Sequence, residues 1–275
     1  MKESRNVLAI DRQDRIVRLK LCRPEKRNAL NDAAIRELGD FFAGPPPGIA
    51  AIVLEGAGPH FCAGLDLAEL LEKKRTDVME GVRHSRGWHR VFNSIQYGEV
   101  PVVCCLKGAV IGGGLELAAA THVRICEPST FYQLPEGQHG IFLGGGGSVR
   151  IPRIIGAGRV VEMMLTGRKC DAQEGLRLGL AHRLVPEGTS FETAMEIATA
   201  IASNSFASNY AIINGISRIG EMGPDEGLFA ETMVAMMTSA AQADRARIKA
   251  FFERRAAASK PADAEAAEIG GESHD

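Results

Sequence analysis

Aromatic side chains are scarce in this chain: phenylalanine, tryptophan and tyrosine together make up 5% of its 275 residues, and Trp88 is the one tryptophan. A surface that stacks nucleobases or sugar rings would have few rings to draw on. Charge of one sign is also lacking. The formal net charge is −2, so no global field gathers nucleic acid or anionic membrane. No uncharged apolar stretch is long enough to cross a bilayer, and the first thirteen residues hold no apolar core of the signal-peptide kind. Six cysteines (Cys22, Cys62, Cys104, Cys105, Cys126 and Cys170) fall in no C-x-x-C or zinc spacing. Most sit in apolar runs, as buried small hydrophobes in a reducing compartment would. No His/Cys/Asp cluster has metal-ligand spacing. The expectation is a cytoplasmic enzyme with no metal and no nucleic-acid or membrane partner.

What is present supports a sizeable core: hydrophobic residues make up 45% and charged residues 24%, enough for one large domain or a domain with an appendage. Val7–Ile10, Ile16–Leu21 and Ile49–Glu55 read as strands flanked by polar or glycine-rich breaks. Asn31 is placed to cap a helix from Asp32 to Phe42, which Gly44-Pro45-Pro46-Pro47-Gly48 ends. Residues 75–97 carry mixed charge at helical spacing and read as a long exposed helix. Val102–Leu106 is apolar throughout, as a strand covered on both faces is. Val123–Cys126 reads as a strand and Ile151–Leu165 as one apolar helix. From about residue 190 the pattern is helical throughout, over Phe191–Ser203, Asn209–Ile219, Pro224–Met237 and Ala241–Arg255. No G-x-G-x-x-G opens a βαβ unit, so the repeated strand–strand–helix pattern argues for a layered or spiral α/β fold.

Three glycine-centred segments carry chemistry. His60-Phe61-Cys62-Ala63-Gly64-Leu65-Asp66-Leu67 follows a strand and turn. Gly112-Gly113-Gly114-Leu115-Glu116-Leu117-Ala118 takes a buried strand into a helix, which bares backbone N–H groups at the positive end of the helix dipole. Glu116 falls in that helix's first turn. Leu134-Pro135-Glu136-Gly137 is followed by Gly144-Gly145-Gly146-Gly147-Ser148, which lacks the Lys-Ser/Thr ending of a phosphate-binding loop. Taken singly, each has a plain structural reading. The glycines allow close packing, Glu116 complements a helix dipole, and Glu136 occupies a turn.

Taken in order, the motifs resemble the enoyl-CoA hydratase/isomerase (crotonase) family over roughly residues 5–256. The matching segments are Arg23-Pro24-Glu25-Lys26-Arg27-Asn28-Ala29-Leu30, Phe61 to Leu67, Gly112 to Ala118, Leu134-Pro135-Glu136, Gly145 to Arg150, and Leu165-Thr166-Gly167. The resemblance implies an α/β fold, a crotonase-like ββα superhelix (spiral) with a C-terminal helical trimerisation region. Residues 1–195 would form the core carrying the CoA and catalytic sites, 196–256 the oligomerising helices, and 257–275 a disordered tail. It further implies an acyl-CoA substrate, a trimer or dimer of trimers, and no cofactor beyond the coenzyme A of the substrate itself.

The resemblance places the two hydratase glutamates at Glu116 and Glu136 and the oxyanion-holding N–H groups at Leu65 and Gly113. Coenzyme A contacts fall on Lys26, Arg27, Ala29, Ala63, Asp66 and Leu67, with Phe251 and Arg254 reaching a neighbouring subunit's nucleotide. The pair of glutamates implies addition of water across a 2-enoyl-CoA, with the proton's owner left open. Departures are Leu65, where many hydratases have alanine, the polar Gly137-Gln138-His139 segment, and a four-glycine run without a proline before it. They keep open a double-bond isomerase, or a specialised hydratase of the methylthioacryloyl-CoA or hydroxycinnamoyl-CoA type whose adduct breaks down. An RNA-binding role, known among relatives of this fold, is disfavoured by the charge and the few rings. His139 reads as structural or surface. Trp88, with His84 and His89 on the 75–97 helix, would pack there or border the acyl pocket.

Overall fold

The computed structural model describes residues 7–73, 77–239, 248–250, 252–253 and 255. Among the described residues there are two sheets. The larger has six strands in the order β1 (Leu8–Gln13), β2 (Ile16–Leu21), β3 (Ala51–Gly56), β4 (Val102–Leu106), β6 (Val123–Cys126) and β9 (Arg183–Leu184). Its β1–β2 pair is antiparallel and the remaining pairs are parallel. The smaller runs β5 (Ala109–Ile111), β7 (Phe131–Gln133) and β8 (Lys169–Asp171).

The chain climbs as a spiral, each turn giving an extended segment to each sheet and then a helix. β2 leads to a bridge at Leu30 and then α1 (Asp32–Ala43). β3 leads to bridges at Cys62 and Leu65, then α2 (Leu67–Glu72) and α3 (Val78–Gln96). β4 and β5 lead to α4 (Gly113–Ala119), and β6 and β7 to α5 (Gly147–Ile155) and α6 (Ala157–Thr166). Stacking these turns lines up the junctions after Leu30, Cys62 and β5 along one edge: Leu30 bridges Leu65, and Cys62 bridges Val110. A helix start thus recurs at the same height on successive turns.

The unbroken apolar run of β4 follows from cover on both faces. Val102, Cys104 and Leu106 face the main core, while Val103 and Cys105 face a second core under α8 (Ser190–Ser203). All six cysteines are free, and all but Cys22 are buried. Asn31 caps α1 by accepting from the Ala34 N–H at 2.9 Å.

The expected boundaries hold for β2, β4 and β6 and shift by up to three residues elsewhere, while the expected Ala241–Arg255 helix lies largely outside the described residues. Two readings change. The apolar stretch after the second glycine run is two helices, because Gly156 (φ +85°, ψ 145°) takes a conformation that ends α5 and redirects the chain into α6. The 78–96 helix is amphipathic rather than exposed throughout: Trp88, Val91, Phe92 and Ile95 are buried. β5, β7, β8 and β9, of two or three residues each, had too little pattern to be read. Past α7 (Ala172–Leu178), α9 (Phe206–Ile219) and α10 (Pro224–Ser239) pack on each other. The 257–275 tail lies outside the described residues.

Candidate active site

β5 ends at Ile111, and the next three glycines turn the chain into α4 against close neighbours. Gly112 has φ +50°, and a Cβ there would stand 2.7 Å from Glu136 Oε1. A Cβ on Gly113 would meet Trp88 Cζ3 at 2.8 Å and Leu65 N at 3.3 Å. Packing and function coincide here: the missing side chains let Glu136, Trp88 and the Leu65 backbone converge on the start of α4.

The backbone N–H groups of Leu65 and Gly113 are therefore neighbours. Neither donates to an acceptor among the described residues. Two unspent donors, one of them opening a helix, face the same cavity and suit a developing oxyanion. That cavity holds about 220 Å3 and is lined by both carboxylates, by Trp88, Leu70, Ile141 and Phe142, and by the glycines of the 144–145 loop.

Glu116 and Glu136 are almost equally hidden, 3% and 5% exposed, yet they are held differently. Glu116 Oε1 accepts from the N–H groups of Gly145 and Gly147, each at 2.8 Å. Gly147 is the first residue of α5, so the carboxylate lies in the first turn of α4 and at the N-terminus of α5 together. Burial pushes its pKa above the usual glutamate value, and those N–H bonds with the nearby Arg150 charge pull it back. Glu136 opens a short 3-10 turn (Glu136–His139) and has no such cradle: its Oε2 is buried without a hydrogen-bond partner among the described residues. Burial, and then the Glu116 charge, push it up to about 7. Burial thus raises both carboxyls, and at Glu116 the Gly145 and Gly147 N–H bonds and the Arg150 charge oppose it.

A second cavity of about 260 Å3 meets the first at Leu65, Gly113, Glu136 and Ile141. Ala63, Leu67, Gln133, Gln138 and His139 line it. The strap 27–30 is laced to 63–66 by Ala63 N–H to Arg27 O (2.9 Å), Leu30 N–H to Gly64 O (2.7 Å) and Asp66 N–H to Leu30 O (3.0 Å). This lacing holds the strap that carries Arg27 and Ala29 against the segment whose Ala63 and Leu67 line the cavity, with Lys26 and Arg27 exposed and Ala29 half-buried. Asp66 turns inward. It caps α2 and pairs with Arg23 at 2.8 Å, and although burial raises its pKa, the guanidinium wins and holds it below the usual value. Phe251 and Arg254 lie outside the described residues.

The single tryptophan both packs and lines the cavity. Trp88 is 5% exposed, edge-on to Phe92 at 5.6 Å between ring centroids. His84 lines the same cavity, whereas His89 is exposed. Reading the sequence missed the Gly145 and Gly147 N–H groups as the cradle of Glu116. A glycine run just before a helix was the available signal. It also missed Ser85, whose Oγ donates to Gly144 O at 2.7 Å and ties α3 to that loop.

Comparison with known proteins gives four findings. Residues 11–260 match the family described as enoyl-CoA hydratase/isomerase. A solved Rhodopseudomonas palustris structure, provisionally described as an enoyl-CoA hydratase, superposes with a TM-score of 0.87 at 45% identity, covering 91% of this chain and 96% of the other. A short-chain-enoyl-CoA hydratase of Clostridium acetobutylicum is 29% identical over 91% of this chain and 96% of its own length. The fatty acid oxidation complex subunit alpha of Shewanella loihica is 40% identical over 152 residues, and the match spans about a fifth (21%) of that longer protein. The mixed α/β spiral is thus the crotonase-type fold.

Proposed function

The chain belongs to the enoyl-CoA hydratase/isomerase family, and on that premise we propose that it adds water across the C2=C3 double bond of a short 2-enoyl-CoA. The observation that carries this reading is the meeting of Glu116, Glu136 and the free N–H groups of Leu65 and Gly113 around one cavity. The ionised Glu116 takes a proton from water as the water oxygen attacks C3. The double-bond electrons move through C2 onto the thioester oxygen, giving an enolate that the Leu65 and Gly113 N–H groups hold. Each such donor contributes about 3 kcal/mol in a water-poor site. Glu136, protonated, then delivers its proton to C2, leaving a 3-hydroxyacyl-CoA. Proton exchange between the carboxyls resets the pair.

The reaction is redox-neutral and its coenzyme A belongs to the substrate, so these residues suffice for every step written here. The pantetheine arm runs along the second cavity past Ala63 and Leu67, with Lys26 and Arg27 toward the phosphates. Phe251 and Arg254 keep their suggested nucleotide contacts. A cavity of 220 Å3 equals about seven water-sized volumes, which suits a short acyl group and one water. α10 has apolar residues on all sides, with Leu228, Phe229, Met233, Met236 and Met237 exposed. That supports self-association of a cytoplasmic enzyme as a trimer or dimer of trimers, readable by sedimentation.

The test is loss of enoyl absorbance with crotonyl-CoA and with longer, branched and aryl enoyl-CoAs, followed by mass spectrometry of the product. A stable 3-hydroxyacyl-CoA is expected. No turnover by folded, CoA-binding protein sinks the reading. The polar Gln138 and His139 beside Glu136 in the second cavity favour one other outcome, an adduct that breaks down to free CoA and an aldehyde. An isomer of unchanged mass would instead mark a double-bond shift.

A further inference from the structure

Arg150 lies behind the glycine loop and faces no carboxylate at ion-pair distance among the described residues, although it is 7% exposed. A buried guanidinium without a counter-ion is costly to keep. All three nitrogens are occupied by neutral acceptors. Nε donates to Gln96 Oε1 at 2.6 Å, Nη2 to Asn93 Oδ1 at 2.5 Å, and Nη1 to the Gly145 carbonyl at 3.1 Å. The first two pin Arg150 to α3. The third reaches the loop whose Gly145 N–H holds Glu116 Oε1 at 2.8 Å. Room for the guanidinium comes from Gly146 (φ +94°), where a Cβ would stand 2.4 Å from Nη1.

We infer that Arg150 is a positioning residue that keeps Glu116 ionised: its charge and its grip on the Gly145 carbonyl fix the loop and stabilise the carboxylate from behind. It would thereby decide which of the two glutamates is the base. Glu116, whose charge acts on Arg150, serves as a counter-ion through the loop, without direct contact. The other charged or titratable groups facing this assembly are Glu136 and His84, which line the Glu116 cavity, and Tyr97, Arg124, Arg153 and Glu221 on the Arg150 side. Arg153 is engaged with Glu221 at 3.1 Å. Glu136 has no cation of this kind behind it among the described residues, so the asymmetry of the pair traces to the 145–150 loop. The assignment of base and acid rests on the hydration reading above. The electrostatic role of Arg150 does not.

The test compares wild type with Arg150→Gln and Arg150→Lys in the full chain, with Asn93→Ala and Gln96→Ala as variants that loosen the clamp but keep the charge. The pH dependence of kcat/KM on crotonyl-CoA is measured alongside an isotope-edited infrared titration of the glutamates, assigned with Glu116→Gln. Arg150→Gln is expected to move the acid limb and the Glu116 titration up by about one pH unit, a tenfold shift in its ionisation, with KM changed little. Arg150→Lys should return both to near wild type, and the two clamp variants should leave them in place.

A folded Arg150→Gln protein with an unmoved Glu116 titration overturns the inference, as does a Lys variant that shifts like Gln. Should Arg150→Gln not fold, the wild-type infrared titration still decides, because Glu116 must ionise before Glu136; the reverse order overturns it. Absence of hydration by wild type would sink the hydratase reading, and the infrared result would still judge Arg150.

Discussion

Glu116 and Glu136 are the same residue type, equally buried, on either side of one cavity, and the molecule treats them oppositely. Glu116 rests in backbone N–H groups at two helix starts with a guanidinium behind the loop. Glu136 keeps one buried oxygen with no partner among the described residues and has its pKa pushed up to about 7. Burial alone drives both toward the neutral acid. What separates them is the supply of hydrogen bonds to the charged form, and the proposed roles of base and acid rest on that difference.

The sharpest way to break this contrast is to remove its charges. Glu116→Gln and Glu136→Gln should each lower kcat on crotonyl-CoA by about 10²–10⁴-fold, the range for loss of a positioned acid or base, with acyl-CoA affinity changed little. Equilibrium binding of a saturated acyl-CoA separates that outcome from collapse of the site. If either variant keeps wild-type kcat, the assignment of that glutamate is lost.

A smaller effect is expected from crowding one carboxylate and not the other. A Cβ on Gly147 would stand 2.5 Å from Glu116 Cγ. Gly147→Ala should therefore displace the base and cost about 10–100-fold in kcat, with the melting temperature close to wild type. Gly112→Ala crowds Glu136 Oε1 and also places a side chain at φ +50°, so it should cost roughly 1–2 kcal/mol of stability as well. Activity against pH, together with melting curves, reads both. Equal kcat for wild type and Gly147→Ala would show that the cradle tolerates displacement.

The smallest and most specific effect concerns stability against pH. Glu136 has a folded pKa above that of an exposed glutamate, so over that interval the folded state binds more protons than the unfolded one. Stability therefore falls as pH rises from the usual glutamate value through about 7. Glu136→Gln should flatten this decline and exceed wild type by about 1–3 kcal/mol at alkaline pH, with no gain under acid conditions. Denaturant melts at several pH values check it, and a parallel wild-type and variant profile would mean that Glu136 is not strained in the folded protein.

The elements legible in the sequence were those whose pattern repeats along enough chain. β2, β4 and β6 carry apolar runs bounded by breaks, and α1 carries a capping asparagine and a periodic apolar face. β5, β7, β8 and β9 are too short to show a period, and the break between α5 and α6 turns on the backbone angle of Gly156. For the site, the glycines and both glutamates stood out through their order and spacing. Arg150 was visible only as one letter of a motif, since its contacts span Asn93, Gln96 and Gly145.

The sequence by itself determined the near-balanced charge, the alternation of strands and helices, and the presence of two carboxylates next to glycine-rich helix starts. Those are local properties, written in residue type and short-range spacing. Only the tertiary structure decided that Glu116 is cradled and Glu136 left short of partners. The N–H groups and the guanidinium that distinguish them arrive from segments some thirty residues away, brought together by the stacking of spiral turns. A carboxylate's pKa is set by what surrounds it in space, and that is fixed only when the chain has folded.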